Sequence, residues 1–268
     1  MNHIMIDCYG ANESRLDDMR GINDLFSEIT GTLSLTAVMP PFLLPYYYSK
    51  NPLDVGISAF VLLEGGHITM HTFPQRECVF IDMLVDGYFD PRRLREILQG
   101  YFNYTDENIV RTERRYLDTS IDKDRILEPG YLGEGDFGPH IIARIEDCDV
   151  TLEGIYDILD TMPERINMCP ISRPLVLKSS ATEPKYISGI VLIAQSHIAF
   201  HYDIELRTLY CDLFSCSFYK SEKFTAFLEG IFGKFENMTI IRGSKHEKNI
   251  KNYESKICKL AKWTKNAK

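Results

Sequence analysis

Ser58-Ala59-Phe60-Val61-Leu62-Leu63-Glu64-Gly65-Gly66-His67-Ile68-Thr69-Met70-His71 decides the fold, because it returns 130 residues later. There the chain reads Ser188-Gly189-Ile190-Val191-Leu192-Ile193-Ala194-Gln195-Ser196-His197-Ile198-Ala199-Phe200-His201. The pairing runs without a gap over 58–102 and 188–232, with ten identities. Beyond the Ser, Val-Leu, His-Ile and His matches, Asp82 meets Asp212, and Leu98, Gly100 and Phe102 meet Leu228, Gly230 and Phe232. The openings also correspond: His3-Ile4-Met5-Ile6-Asp7-Cys8 resembles His140-Ile141-Ile142-Ala143-Arg144-Ile145. A unit of roughly 125 residues therefore occurs twice.

Each copy carries the same order of elements. A short strand opens it (3–9; 140–146) and a helix follows (14–28; 152–163), with Leu16, Met19, Ile22, Leu25, Phe26 and Ile29 at helical spacing. Three strands come next. In the middle one Ile68 and Met70 alternate with His67, Thr69 and His71, a period of two. A second helix is predicted over 90–102 and 220–232, capped by Asp90 and Ser221, and a last strand closes each copy (108–114; 237–242). The expected class is α+β: two tandem antiparallel-sheet-plus-helices repeats, packed sheet on sheet as an αββα pseudo-dimer. The repeats are placed at 1–116 and 138–243. A linker at 117–137 holds Pro129-Gly130 and Gly133-Glu134-Gly135-Asp136, and a basic tail follows at 244–268.

Composition narrows the function. With 268 residues, 44% hydrophobic and 25% charged, the chain is globular in character. It has no apolar run long enough for a membrane helix, and its first residues do not form a signal peptide, so a cytoplasmic location is expected. The net charge of −8 argues against nucleic acid as partner, although nine Lys/Arg against two Glu from Arg242 to Lys268 leave −15 for the rest. Seven cysteines without a CxxC pair read as free thiols.

His67/His71 and His197/His201 invite a metal reading. On a strand, however, each pair spans about 13 Å, four rises of about 3.3 Å, so one ion cannot take both, and no metal is expected. The polar reading is a histidine on a half-buried strand with its nitrogens hydrogen-bonded. The differences between copies say more. Ser196 of the second copy stands opposite Gly66, and Cys216 opposite Asp86, whereas Ser58/Ser188 and His71/His201 occur in both.

At these residues the chain resembles the pyruvoyl-dependent S-adenosylmethionine decarboxylases. Their signature is Glu-Ser-His-x3-His-Thr-x-Pro-Glu, followed by an Asp and a Cys on a strand. Copy one reads Gly65-Gly66-His67-Ile68-Thr69-Met70-His71-Thr72-Phe73-Pro74-Gln75. Copy two reads Gln195-Ser196-His197-Ile198-Ala199-Phe200-His201, then Asp212 and Cys216. The resemblance spans both copies and implies a site shared between them. Copy two would give Ser196 and Cys216; copy one would give Ser58 and His71. The second site, with Gly66 and Asp86, should be dead.

The resemblance also implies a chemistry. Ser196 Oγ attacks the carbonyl of Gln195, His71 removes the Cα proton of residue 196, and cleavage leaves a pyruvoyl group as the only cofactor. That carbonyl takes up the substrate amine and draws electrons as CO2 leaves; Cys216 returns a proton to the product carbon. The expected substrate is S-adenosylmethionine, and the product feeds polyamine (spermidine) synthesis. Gln75 stands where the family has a ribose-binding Glu, Tyr48 could supply a stacking face, and Arg144 sits beside Ile145, where the family has an aromatic. These departures keep two alternatives open: a pyruvoyl decarboxylase of ornithine or arginine, or an uncut homologue that binds or regulates a partner. A fused pair is compatible with a monomer or a further homodimer.

Overall fold

The computed structural model describes residues 1–49, 51–114, 126–127, 136–216, 219–235, 237–241 and 244–245. Most of the expected linker and tail, with Cys258, lies outside them. The first repeat comprises β1 (Asn2–Tyr9), α1 (Glu13–Leu16), α2 (Met19–Thr32), β2 (Phe42–Tyr46), β3 (Gly56–Leu63), β4 (Gly66–Phe73), β5 (Cys78–Val85), α3 (Pro91–Phe102) and β6 (Asp106–Glu113). Two short strands follow, β7 (Ile126–Leu127) and β8 (Asp136–Phe137). The second repeat comprises β9 (His140–Ile145), α4 (Leu152–Arg165), β10 (Leu175–Lys178), β11 (Tyr186–Leu192), β12 (His197–Asp203), β13 (Thr208–Phe214), α5 (Ser221–Phe232) and β14 (Asn237–Ile241). β15 (Ser244–Lys245) pairs with β8.

The two sheets run β2-β3-β4-β5-β1-β6 and β10-β11-β12-β13-β9-β14-β7, with every pair antiparallel. Each repeat has one strand more than the sequence reading gave it. β2 is an edge strand interrupted by Pro45, which is tolerated there because one backbone face needs no ladder partner.

The helices form as their spacing requires. Ile22, Leu25, Phe26 and Ile29 of α2 are fully buried against β1, β3, β4 and β5, and each such side chain contributes about 1.5–3 kcal/mol. The helix expected over 14–28 is split at Asp17 and Asp18, where Asp18 accepts from the Gly21 N–H at 3.0 Å. Asp90 caps α3 through the Arg92 N–H at 2.9 Å. Ser221 is not a cap: it is the first residue of α5, and Lys220 holds the cap position without a side-chain bond.

The layers are helices, sheet, sheet, helices. One apolar core lies between α1–α3 and the first sheet, another between α4–α5 and the second. The sheets close on each other through Phe60 and Leu62 against Ile190, Leu192 and Ala199. The alternation along β4 therefore separates two interiors: Ile68 and Met70 face the helices, while His67, Thr69 and His71 face the other sheet. The histidine strands are buried on both faces, not half-buried as their polarity suggested.

Candidate active site

The β11–β12 connection is a tight turn, with the Ile193 N–H donating to the Ser196 carbonyl at 2.9 Å. Ala194 turns the corner at φ 40°, in the left-handed region that a Cβ disfavours. Gln195 and Ser196 follow, both buried. Ser196 Oγ accepts the Cys216 N–H at 2.9 Å, which joins the turn to the end of β13. Both residues line a cavity of about 400 Å³, together with Met168, Cys169, Tyr219, Lys220 and Lys223. Burial pushes the Cys216 thiol up to about 12, and Asp54 adds to the rise, so the sulfur keeps its proton at neutral pH.

The first repeat reaches this turn through Ser58. Its Oγ lies 2.7 Å from Gln195 Oε1 and 2.9 Å from His71 Nδ1. Gln195 Nε2 donates to the Tyr46 carbonyl at 3.4 Å. His71 Nε2 meets His197 Nδ1 at 2.9 Å, the rings stacked with centroids 5.1 Å apart, and Phe214 stacks on both. Burial, then the neighbouring His197, holds His71 well below the usual imidazole range, so it is a neutral base. Ser58, His71, Gln195, Ser196 and Cys216 are thus linked across the two sheets. His71 does not line the 400 Å³ cavity; it borders a small interior space with Thr69, Asp82 and His140.

The pseudo-symmetric counterpart keeps a cavity of about 250 Å³, lined by Glu64, Asp86 and Lys185 among others, but lacks the reacting hydroxyl and thiol. Ser188 Oγ lies 2.8 Å from His201 Nδ1, and His201 Nε2 2.7 Å from His67 Nδ1, so the helper pair survives. Nothing faces it. A Cβ on Gly66 would lie 1.9 Å from the Leu84 carbonyl oxygen, and one on Gly65 would meet the Tyr186 ring at 2.5 Å. The Tyr186 hydroxyl donates to Asp86 at 2.5 Å and Lys185 joins them at 2.8 Å, filling the place that Cys216 holds in the other half.

Of the three residues expected at the substrate, Arg144 lies away from Ser196, and Gln75 and Tyr48 are partly exposed. Gln75 follows β4 and donates to Glu13 near the surface at 3.1 Å. Tyr48 is 46% exposed, beside Tyr46. Arg144 pairs with Glu146 at the far end of β9: His140 is in register with Phe214, but Arg144 with Tyr210, about 13 Å along the strand. It therefore cannot oppose a cationic substrate at Ser196.

The sequence reading missed an aromatic cluster of Phe73, Phe80, Phe137 and Phe214 that packs with Cys216 and Tyr9. Tyr9 closes β1 of the first repeat, so the strand-end aromatic on the Ser196 side comes from the copy where it was not sought. Phe137 lay inside the presumed linker, and its ring carries the Arg76 guanidinium at 4.4 Å.

Behind His71 lies a layer of ionisable groups. Asp82 takes His3 on Oδ1, and His67 at 3.0 Å and His197 at 3.2 Å on Oδ2, with His140 Nε2 at 3.6 Å. Burial alone would raise Asp82, but His3, His140 and His67 hold it well below the carboxylate range. Asp212, its mate, is held at about 2 against burial by Arg114, which also donates to the carbonyls of Ala143 and Cys211. His67, Asp82 and His197 are near enough to ligate one ion, a set drawn from three strands rather than from one His-x3-His pair. Their nitrogen and oxygen atoms already hydrogen-bond one another.

The family model described as S-adenosylmethionine decarboxylase matches residues 2–115 and again 139–242, once per repeat. The chain belongs to the S-adenosylmethionine decarboxylase family. Among relatives of this decarboxylase family, the S-adenosylmethionine decarboxylase proenzyme of Hydrogenobaculum sp. is 25% identical over 122 residues, 46% of this chain and 83% of its own. The proenzyme of Aquifex aeolicus is 29% identical over 91 residues, 34% of this chain and 61% of its own. The crystal structure of the Aquifex aeolicus adenosylmethionine decarboxylase superposes with a TM-score of 0.36 at 22% identity, covering 46% of this chain and 92% of that one.

Proposed function

We propose that the chain cuts itself between Gln195 and Ser196 and then decarboxylates S-adenosylmethionine, supplying an aminopropyl donor for polyamine synthesis. The observation that carries this reading is the meeting at one turn of groups from both repeats. Ser58 and His71 stand on one side of Gln195, and Ser196 with Cys216 on the other.

Ser196 Oγ adds to the Gln195 carbonyl carbon, the 195–196 amide becomes an ester, and the freed amine takes the hydroxyl proton. The strained Ala194 adjoins the bond that breaks, and strain of about 1–3 kcal/mol is released as the turn opens. His71 takes the Cα proton of residue 196, and the Gln195 carboxylate leaves with the ester oxygen. Water then replaces the amino nitrogen, which departs as ammonia. The resulting pyruvoyl group supplies an electron-withdrawing carbonyl for loss of CO2. Residues of this chain fit that group: Cys216, protonated and beside Ser196, is placed to return a proton to carbon.

A second reading keeps this maturation and changes the substrate. Among the described residues no carboxylate lines the cavity beside Ser196, whereas Lys220 and Lys223 do, which weighs against any cationic side chain, sulfonium, ammonium or guanidinium, and suits an amino acid with a neutral or acidic one.

Intact mass tests the maturation. Cleavage leaves 195 and 73 residues, about 22 and 8 kDa at about 115 Da per residue, and the smaller piece reacts with a hydrazide at its N-terminus. A chain that stays at 30.9 kDa under all conditions rejects the proposal. Release of labelled CO2 from adenosylmethionine, ornithine, arginine and amino acids with neutral or acidic side chains separates the substrates.

A further inference from the structure

Ser58, His71, His197 and Asp82 form one unbroken line of hydrogen bonds, at 2.9, 2.9 and 3.2 Å, that crosses from the first repeat to the second and back. We propose that Asp82 and His197 are positioning residues for self-cleavage, holding His71 in the tautomer whose Nδ1 lone pair faces Ser58. The inference rests on the maturation proposed above and extends it past His71.

Hydrogen-bond direction dictates the tautomer. The ionised Asp82 only accepts, so His197 Nε2 carries a hydrogen and donates to it. His197 is neutral, because burial lowers its basicity, so its Nδ1 is a lone pair. That lone pair accepts from His71 Nε2–H, which leaves His71 Nδ1 unprotonated; the single Ser58 hydrogen, for which Gln195 Oε1 at 2.7 Å competes, then goes to Nδ1. Asp82 also stabilises the cation that His71 becomes on taking the Cα proton, as a buried carboxylate does behind the imidazole of a serine hydrolase. Here a second imidazole extends the reach.

Symmetry breaking supports the assignment. Asp82 and Asp212 are matching residues, yet Arg114 lies on Asp212 and, among the described residues, no arginine lies on Asp82. The groups that face Asp82 are His3, His67, His140 and His197. The carboxylate whose charge is not taken by arginine is thus the one wired to the live half. It also serves the half without reacting groups through His67 and His201, so the mirror arm is a built-in control.

The test follows the uncut chain after a pulse of synthesis. Asp82→Asn and His197→Leu should cut about 100-fold or more slowly, whereas His197→Gln, whose amide can accept from His71 and donate to Asp82, should stay within about tenfold of wild type. Ser188→Ala, on the mirror arm, should cut normally. Because only Cα deprotonation is impaired, the slow variants should accumulate ester, which hydroxylamine splits into the two fragments. Equal rates for His197→Gln and His197→Leu, or slow chains that resist hydroxylamine, would overturn the proposal. The tautomer itself is read by nitrogen NMR in a Ser196→Ala chain, whether or not the natural chain cuts. Hydrogen on His71 Nε2 is expected, and hydrogen on Nδ1 refutes the relay. A natural chain that never cuts, with the expected tautomer, would sink the maturation and leave the relay standing.

Discussion

Cys216 and Ala194 show how much single positions decide. The thiol is pushed to about 12 by burial, so it is an acid that holds its proton until asked. Cys216→Ala should therefore cut at a normal rate and yet release labelled CO2 about 100-fold more slowly, whereas Ser196→Ala should not cut. Ala194 sits at φ 40°, where glycine costs less. Ala194→Gly relaxes the uncut turn and should slow cleavage about fivefold, a change of about 1 kcal/mol in the strain released. Unchanged cleavage kinetics would remove strain from the account. Ser58, His71, Ser196 and Cys216 stood out in the sequence because the two copies differ at two of them and agree at the other two, and the structure brings all four to one turn. Tyr48 was taken from the run Tyr46-Tyr47-Tyr48, whereas Gln75 and Arg144 were placed by matching positions one at a time. That procedure cannot tell which end of a strand faces which repeat, and β9 puts Arg144 at the wrong end.

At the scale of elements, periodicity gave the helices and the inner strands, because their faces differ in polarity. It missed β2, whose five residues include a proline and are too short to show a period. It also misread the polar face of β4 and β12 as half exposed. Alternation reports only that two faces differ, and here the second face is a buried ionic layer. The same packing keeps a reacting hydroxyl out of the other half. Since a Cβ at Gly66 lies 1.9 Å from a β5 backbone carbonyl, Gly66→Ser cannot restore a reacting hydroxyl. Spreading the β4–β5 ladder instead should lower the midpoint of thermal unfolding by several degrees, with no cleavage at residue 66. A second cut chain in that variant would contradict the packing described.

For the molecule as a whole, the layer between the sheets makes stability depend on acidity. Burial is the largest cause of the lowered basicity of His71, His140, His197 and His201, and His140 is held at about 3. A histidine weakened in the folded state contributes stability above its unfolded value of about 6.5 and loses it as pH falls. Each adds a slope of about 1.4 kcal/mol per pH unit below about 6.5, until it is protonated in the folded state as well. Asp212, held at about 2, adds to the loss below about pH 4. Urea unfolding at pH 7, 5.5 and 4.5 should show the midpoint falling steeply across that range; a flat profile would mean that the layer is solvated.

The bond proposed to break lies in a turn between β11 and β12, neighbours in the middle of the second sheet, paired over seven residues from Tyr186–Asp203 to Leu192–His197. Scission there would sever the chain without separating its parts. The shorter piece would carry β12, β13, α5 and β14, and would stay zipped to the longer one through β11 on one side and β9 on the other. A nicked molecule would elute as one species and come apart only in denaturant. Once unfolded it would not reassemble from a single covalent thread, so maturation would exchange reversible folding for a reactive end.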